Sequence, residues 1–125
     1  MIKIDKALLE SLREQAKLSP RLRQNFDLRT SADDTSQRML NVLEVGTQVP
    51  IHRHEDTAET VICIEGRLVE IFYDKDGEKF REVARVELCP REGKYGVQVP
   101  QGVWHTIEVL EPSTIFEAKD GTYLG

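Results

Sequence analysis

Two histidines separated by one residue, His52 and His54, make up two of the three imidazoles in a chain of 125 residues. In a strand, residues i and i+2 share a face, so the pair offers two nitrogen donors to one side while Arg53 points to the other. The next segment, "HEDTAE", reads as a turn that brings Glu59 onto the start of a neighbouring antiparallel strand, where its carboxylate can meet both rings. The third histidine, His105, lies in "PQGVWHTIEV", where Pro100 and Gly102 form a turn that feeds a strand carrying the imidazole inward as a fourth donor. Three neutral imidazoles and one carboxylate suit a single divalent transition metal (iron, manganese, nickel, copper or zinc), and do not suit calcium or magnesium. A lone histidine is usually an ordinary surface or core residue and an HxH pair is a weak signal, so the weight rests on the spacing of the whole set.

The elements that must position these donors are legible in outline. Asp5 is an N-cap with Ile4 and Leu9 placed as a hydrophobic staple, and Leu8, Leu12 and Ala16 recur at helical spacing until Ser19-Pro20 ends the pattern. From Gln37 onward β-branched and aromatic runs alternate with Gly, Pro and Asp, which predicts strands at 37–45, 48–54, 59–65, 67–73, 79–88, 95–99, 103–110 and 113–118. Asp76-Gly77 marks a hairpin. The fragment Asp74, Asp76, Gly77 does not keep the register of a calcium loop. About eight short strands leave a sandwich, a jelly roll or a small closed barrel.

Composition sets the outer bounds. The length is that of about one domain, taken as residues 1–125, and no apolar run approaches the roughly 20 residues of a membrane span. The N-terminus, "MIKIDKALLESL", lacks the apolar stretch and cleavage site of a signal peptide, so a cytoplasmic protein is expected. Cys63 and Cys89 have no CxxC spacing and read as small buried apolar residues. A net charge of -5 without a basic stripe argues against nucleic acid as a partner.

Gly46, five residues, His52, one residue, His54, four residues, Glu59, six residues and Gly66 together resemble the first cupin motif. Pro100, one residue, Gly102, two residues and His105 resemble the second, with 26 residues between Gly66 and Gly93. Gly93 stands one residue farther from the proline than in the usual pattern, and Val109 replaces a frequent Asn. The opening helix, "SPRLRQNFDLR", "QRMLNVLEVGTQVPIHRH", "VPQGVWHT" and "FEAKDGTYLG" look like the WbuC family of small cupin-fold metalloproteins, met in bacterial surface-polysaccharide gene clusters. The resemblance implies a mainly β fold: a small cupin β-barrel (double-stranded β-helix or jelly roll) at about 37–118, with a short α-helix within 1–20. It also implies His52, His54, Glu59 and His105 as ligands of one metal, and a homodimer.

With Glu59 ionised this ligand set leaves a net positive centre, which favours anionic or oxygen-rich small molecules. Three functions follow from it. One is Lewis-acid isomerase, epimerase or lyase chemistry on a carbohydrate-derived or carboxylated metabolite. The others are iron-dependent oxidation and ligand binding without turnover, the last favoured by the lack of a further histidine for proton transfer. Alternation places Val61, Cys63, Ile107 and Val109 inside, so a mostly apolar pocket is expected, with Gln48 and Pro50 beyond His52. The stretch Arg21, Arg23, Asn25, Arg29, Gln37 and Arg38 reads as a charged linker whose guanidiniums suit carboxylate or phosphate, as in a nucleotide sugar or sugar acid. Asn25, Arg38, Arg23 and Gln48 are its candidate substrate contacts. Glu117 and Tyr123 are candidate acid or base groups, and Trp104 is expected on the outer face or in a subunit contact.

Overall fold

The computed structural model describes residues 1–121. Its elements are α1 (Lys6–Leu18), β1 (Arg23–Asp27), β2 (Ser36–Leu43), β3 (Glu59–Asp76), β4 (Lys79–Leu88), a 3-10 turn (Pro90–Glu92), β5 (Gly96–Val99) and β6 (Trp104–Asp120). All pairings are antiparallel, in the order β1-β2-β6-β3-β4, with β5 also on β3. The fold is mainly β with one short helix, as expected. Among the described residues no helix is long and apolar enough to cross a membrane.

Two long strands organise it. The first half of β3 lies between β5 and the second half of β6, and its second half lies between β4 and the first half of β6. The register slips between Cys63 and Leu68, where the strand bends and so passes from one leaf of the sheet to the other. The two leaves face each other, because Leu43, Val61 and Ile115 of one pack in a single cluster with Leu68, Leu88 and Val109 of the other. Predicted strands 59–65 and 67–73 are thus one bent strand, as are 103–110 and 113–118. Turn residues between them mark the bends.

Gly66 occupies the first bend with φ 98°, a left-handed backbone that side chains rarely adopt. A Cβ there would also lie 2.4 Å from the Pro112 carbonyl oxygen and 2.6 Å from Ser113 Cα in the facing bend of β6. Ser113 Oγ accepts the Arg67 amide at 3.1 Å and stitches the two bends together. Over the same corner Arg67 reaches Glu87, Glu92 and Glu111. The hairpin expected at Asp76-Gly77 is the β3–β4 turn, where Asp76 pairs with Lys79 across Gly77 and Glu78.

Two expectations fail. Residues 48–54 form no strand: Pro50 brings no amide hydrogen, and the segment's one strand-type pairing among the described residues is an isolated bridge between His52 and His105. The stretch read as a charged linker contains β1, an edge strand paired with β2 from Arg23↔Leu43 to Asp27↔Met39. Arg23 and Asn25 on one face of it line the cavity, and Phe26 on the other packs under the helix. α1 covers that second face, starting where Asp5 accepts the Leu8 amide at 3.0 Å and burying Leu12 and Ala16 against Leu40 and Val42.

Gly66→Ala is expected to lower unfolding free energy by at least about 3 kcal/mol, since the left-handed backbone and the clash add. Gly77→Ala, with open space around it, should cost only about 1 kcal/mol. Urea denaturation of both variants checks the contrast.

Candidate metal centre

His52 donates its amide to the His105 carbonyl at 3.0 Å and accepts the His105 amide at 2.8 Å, while the Gly102 amide binds the His54 carbonyl at 2.8 Å. This pins the HxH segment beside the start of β6 and keeps its alternation without a continuous ladder. The ring centroids of His52 and His105 are 4.3 Å apart, those of His52 and His54 5.2 Å, and those of His54 and His105 5.6 Å. One donor nitrogen from each lies within 4.8 Å of the others. Glu59, at the start of β3, places Oε2 3.1 Å from His54 Nε2 and Oε1 3.8 Å from His105 Nε2.

Donors about 2.1 Å from a shared ion, at angles near 90–130°, lie roughly 3.0–3.8 Å apart; the Glu59 oxygens meet this range to His54 and His105, and the three imidazole nitrogens lie within 4.8 Å of one another. His52 Nδ1 faces the Pro50 carbonyl and His105 Nδ1 the Val103 carbonyl, each at 2.9 Å. With Nδ1–H donating there, each Nε2 keeps its lone pair free for a metal. His54 Nε2 and His105 Nε2 are closed off from solvent and, while unprotonated, have no donor to accept from, since each faces the Glu59 carboxylate, at 3.1 and 3.8 Å. Buried polar atoms are rarely left so, and a bound ion accounts for both.

Electrostatics agree. Burial, reinforced by the neighbouring imidazoles, pushes His52 below its usual range and keeps it neutral. Burial alone would raise the Glu59 carboxyl, but hydrogen bonding and charge from His105 and His54 win and hold it well below the usual range. Burial lowers His105, and Glu59 and the Val103 carbonyl outweigh it, so His105 is raised. A proton on His105 therefore competes with a cation for Glu59.

The cluster opens on a cavity of about 230 Å³ walled by β1, β2 and β6. Most of its lining side chains carry polar groups, contrary to expectation: Val61, Cys63 and Val109 belong to the core cluster, and Ile107 alone of the expected four reaches the cavity. Cys63 and Cys89 are buried. Arg23 and Asn25 line the cavity, joined by Arg21, Gln37, Asn41 and Lys119. Gln48 contributes its backbone carbonyl, which accepts Arg23 Nη1 at 2.8 Å. Arg38 sits on the opposite face of β2 and pairs with Asp34 at 3.1 Å, away from the cavity. Trp104 lies on the outer face between Phe80, Arg53 and Lys75.

Glu117 lies in the cavity wall, where Asn41 Nδ2 donates to Oε1 at 3.2 Å. Burial, then the charge of Glu59, pushes its carboxyl up to about 7. Tyr123 lies outside the described residues. Sequence reasoning missed Glu70, which is 0% exposed with both carboxylate oxygens unpartnered. Burial pushes it up to about 8. Its signal was present in "LVEIF", where Leu68 and Phe72 flank it at i±2 on the inward face of β3.

Residues 4–85 match the family described as "Domain of unknown function (DUF6016)". The chain belongs to that family. The matched span includes His52, His54 and Glu59 and stops short of His105. No curated protein matches this DUF6016 member. Its fold is similar to that of KdgF from Halomonas sp., with TM-score 0.60 and 16% identity over 85% of both chains. A capsular polysaccharide assembling protein, CapF from Staphylococcus aureus, matches with TM-score 0.66 and 19% identity over 85% of this chain and 30% of its own. A cupin-2 domain containing protein from Shewanella frigidimarina matches with TM-score 0.55 and 22% identity over 76% of this chain and 79% of its own. At these identities the likeness establishes the cupin fold.

Glu70 makes stability depend on pH with a definite sign. Its folded value lies above its unfolded one, so the contribution is fully present below about 4.5 and is lost as pH rises through about 8. Metal-free wild type should therefore lose stability between pH 5 and 8 relative to Glu70→Gln, by on the order of a few kcal/mol. Thermal melts at both pH values read the difference.

Proposed function

We propose that this chain is a metal-dependent cupin enzyme of the WbuC type that acts on a small carbohydrate-derived or carboxylated metabolite by isomerase, epimerase or lyase chemistry. The observation that carries the reading is the trio of converging imidazoles, two with orphaned Nε2 atoms, opening onto a polar cavity with arginines in its wall. His52, His54, Glu59 and His105 would hold one divalent transition metal. Bound there, the metal supplies Lewis-acid polarisation of a ligand carbonyl or hydroxyl.

The remaining work falls to the chain. Reactions of this class move a proton at carbon or oxygen, and Glu117 is a buried carboxyl in the cavity wall whose raised pKa of about 7 lets it hold or release one near neutrality. Asn41 orients that carboxyl. Glu117 thus removes the objection that the chain lacks a proton-transfer group, which had favoured a binding module. A role in surface-polysaccharide biosynthesis is supported by the likeness to a capsular polysaccharide assembling protein. Assembly as a cytoplasmic homodimer completes the proposal, with exposed Ile62, Ile64 and Tyr95 as apolar surface for the contact.

His54→Ala and His105→Ala should each lower metal content at least tenfold by elemental analysis of protein purified without added metal or chelator. Circular dichroism should stay that of the folded barrel, because the core cluster contains neither residue. Undiminished metal in either variant would reject the ligand set. Metal affinity should rise at least tenfold from pH 6 to pH 8, since the cation displaces the proton that Glu59 stabilises on His105. Competition with a chromophoric chelator at the two pH values reads this directly.

A further inference from the structure

We propose that the cavity beside the histidine cluster binds a small hydroxylated acid, with Arg21 and Arg23 clamping its carboxylate or phosphate. This rests on the metal-dependent reading and names its substrate class.

Ion pairing singles the two residues out. Of the ten arginines in the chain, eight are paired with a carboxylate among the described residues: Arg13, Arg29, Arg38, Arg53, Arg67, Arg81, Arg85 and Arg91. Arg21 and Arg23 are the two that are not, and both line the same cavity. In a chain with 22 acidic residues and a net charge of -5, two neighbouring guanidiniums outside any ion pair, with Glu117 of the same wall acting on Arg23 only at longer range, mark a place where an anion can be supplied from outside. Burial and then the charge of Arg21 push the Arg23 guanidinium down, so the two cations repel each other in the free protein. An anion between them would relieve that repulsion.

The backbone holds the pair at a cost. Leu22, between them, has φ 57°, the one positive φ of a non-glycine residue among the described residues. Its amide binds the Ser19 carbonyl at 3.0 Å and its carbonyl accepts the Glu44 amide at 2.9 Å, which fixes the turn into β1. Arg23 Nη1 is anchored on the Gln48 carbonyl, and no described residue accepts from its Nη2 or Nε. A planar guanidinium held by one corner is prepared for two parallel bonds to a carboxylate or phosphate.

The rest of the wall selects hydroxyls and size. Gln37, 3% exposed, and Asn41 each carry a side-chain amide oxygen that is closed off from solvent without a donor. Both residues line the cavity, so a reorientation of either side chain would turn its acceptor to a ligand hydroxyl. At about 230 Å³ the cavity is smaller than the roughly 300–1,000 Å³ of sites for drug-sized ligands. That volume suits a monosaccharide acid or phosphate, and most of a nucleotide sugar would lie outside it.

The test is isothermal titration of the protein as purified, its metal content measured on the same sample, with D-glucuronate, D-glucose 6-phosphate and D-glucose. Expected are binding of at least one anion and affinity for glucose at least tenfold weaker. The stronger of the two anions identifies carboxylate or phosphate as the group clamped. Arg21→Ala and Arg23→Ala should each weaken the anion about 10- to 100-fold, and Arg38→Ala should leave it unchanged. Arg21 is exposed, so Arg21→Ala keeps the test valid even where Arg23→Ala disturbs β1. Equal affinity for glucose, no effect of Arg21→Ala in a folded protein, or no binding of either anion would overturn the proposal. Metal bound without arginine-dependent anion binding sinks the clamp and leaves the metal reading standing. Arginine-dependent anion binding to metal-free protein does the reverse.

Discussion

The two backbone hydrogen bonds between His52 and His105 are the constraint on which the site depends. Residues 48–54 lack a strand's ladder, so this bridge fixes where the HxH segment lies relative to β6. Once His52 is set opposite His105, alternation puts His54 on the same side and the turn returns Glu59 to meet it. The carbonyls of Pro50 and Val103, each two residues before its histidine, then hold both rings by Nδ1. The bent strands serve the same end. β3 carries Glu59 in one leaf and β6 carries His105 in the other, and the Gly66 corner lets the leaves close until these side chains meet.

Desolvation sorts the three inward carboxyls. Glu59 has two imidazoles within reach and stays ionised, whereas Glu117 has one amide donor and Glu70 has none, so both are raised. The barrel thus holds one fixed anion beside carboxyls able to keep protons near neutrality. Burying a carboxyl without a partner is costly, and leucine at position 70 would suit the core better. That cost is understandable if the interior is tuned for a charged centre.

Much of this was legible in the chain. The convergence of His52, His54 and His105 followed from the HxH alternation and the turn before His105, and α1 announces itself through Asp5, Leu12 and Ala16. The bends were less legible, because Gly66 and Pro112 look like turns between separate strands when they are corners within continuous ones. β1 was hidden by composition: "RQNFD" reads as a solvated linker, yet an edge strand facing a polar cavity needs such residues. The pocket's polarity was misjudged for a related reason. Alternation along β3 and β6 tells which side is inward but not where the core ends and the cavity begins, and that boundary is set by β1 and β2. Arg38 was out by one residue of alternation, which in a strand means the opposite face.

Function here turns on four donor atoms meeting around one cation. X-ray absorption at the edge of whichever metal copurifies with the protein tests it most directly. The expected result is a shell of nitrogen and oxygen neighbours at about 2.0–2.2 Å, with the outer-shell scattering of three imidazole rings. A shell dominated by sulfur, or one without imidazole scattering, would contradict it.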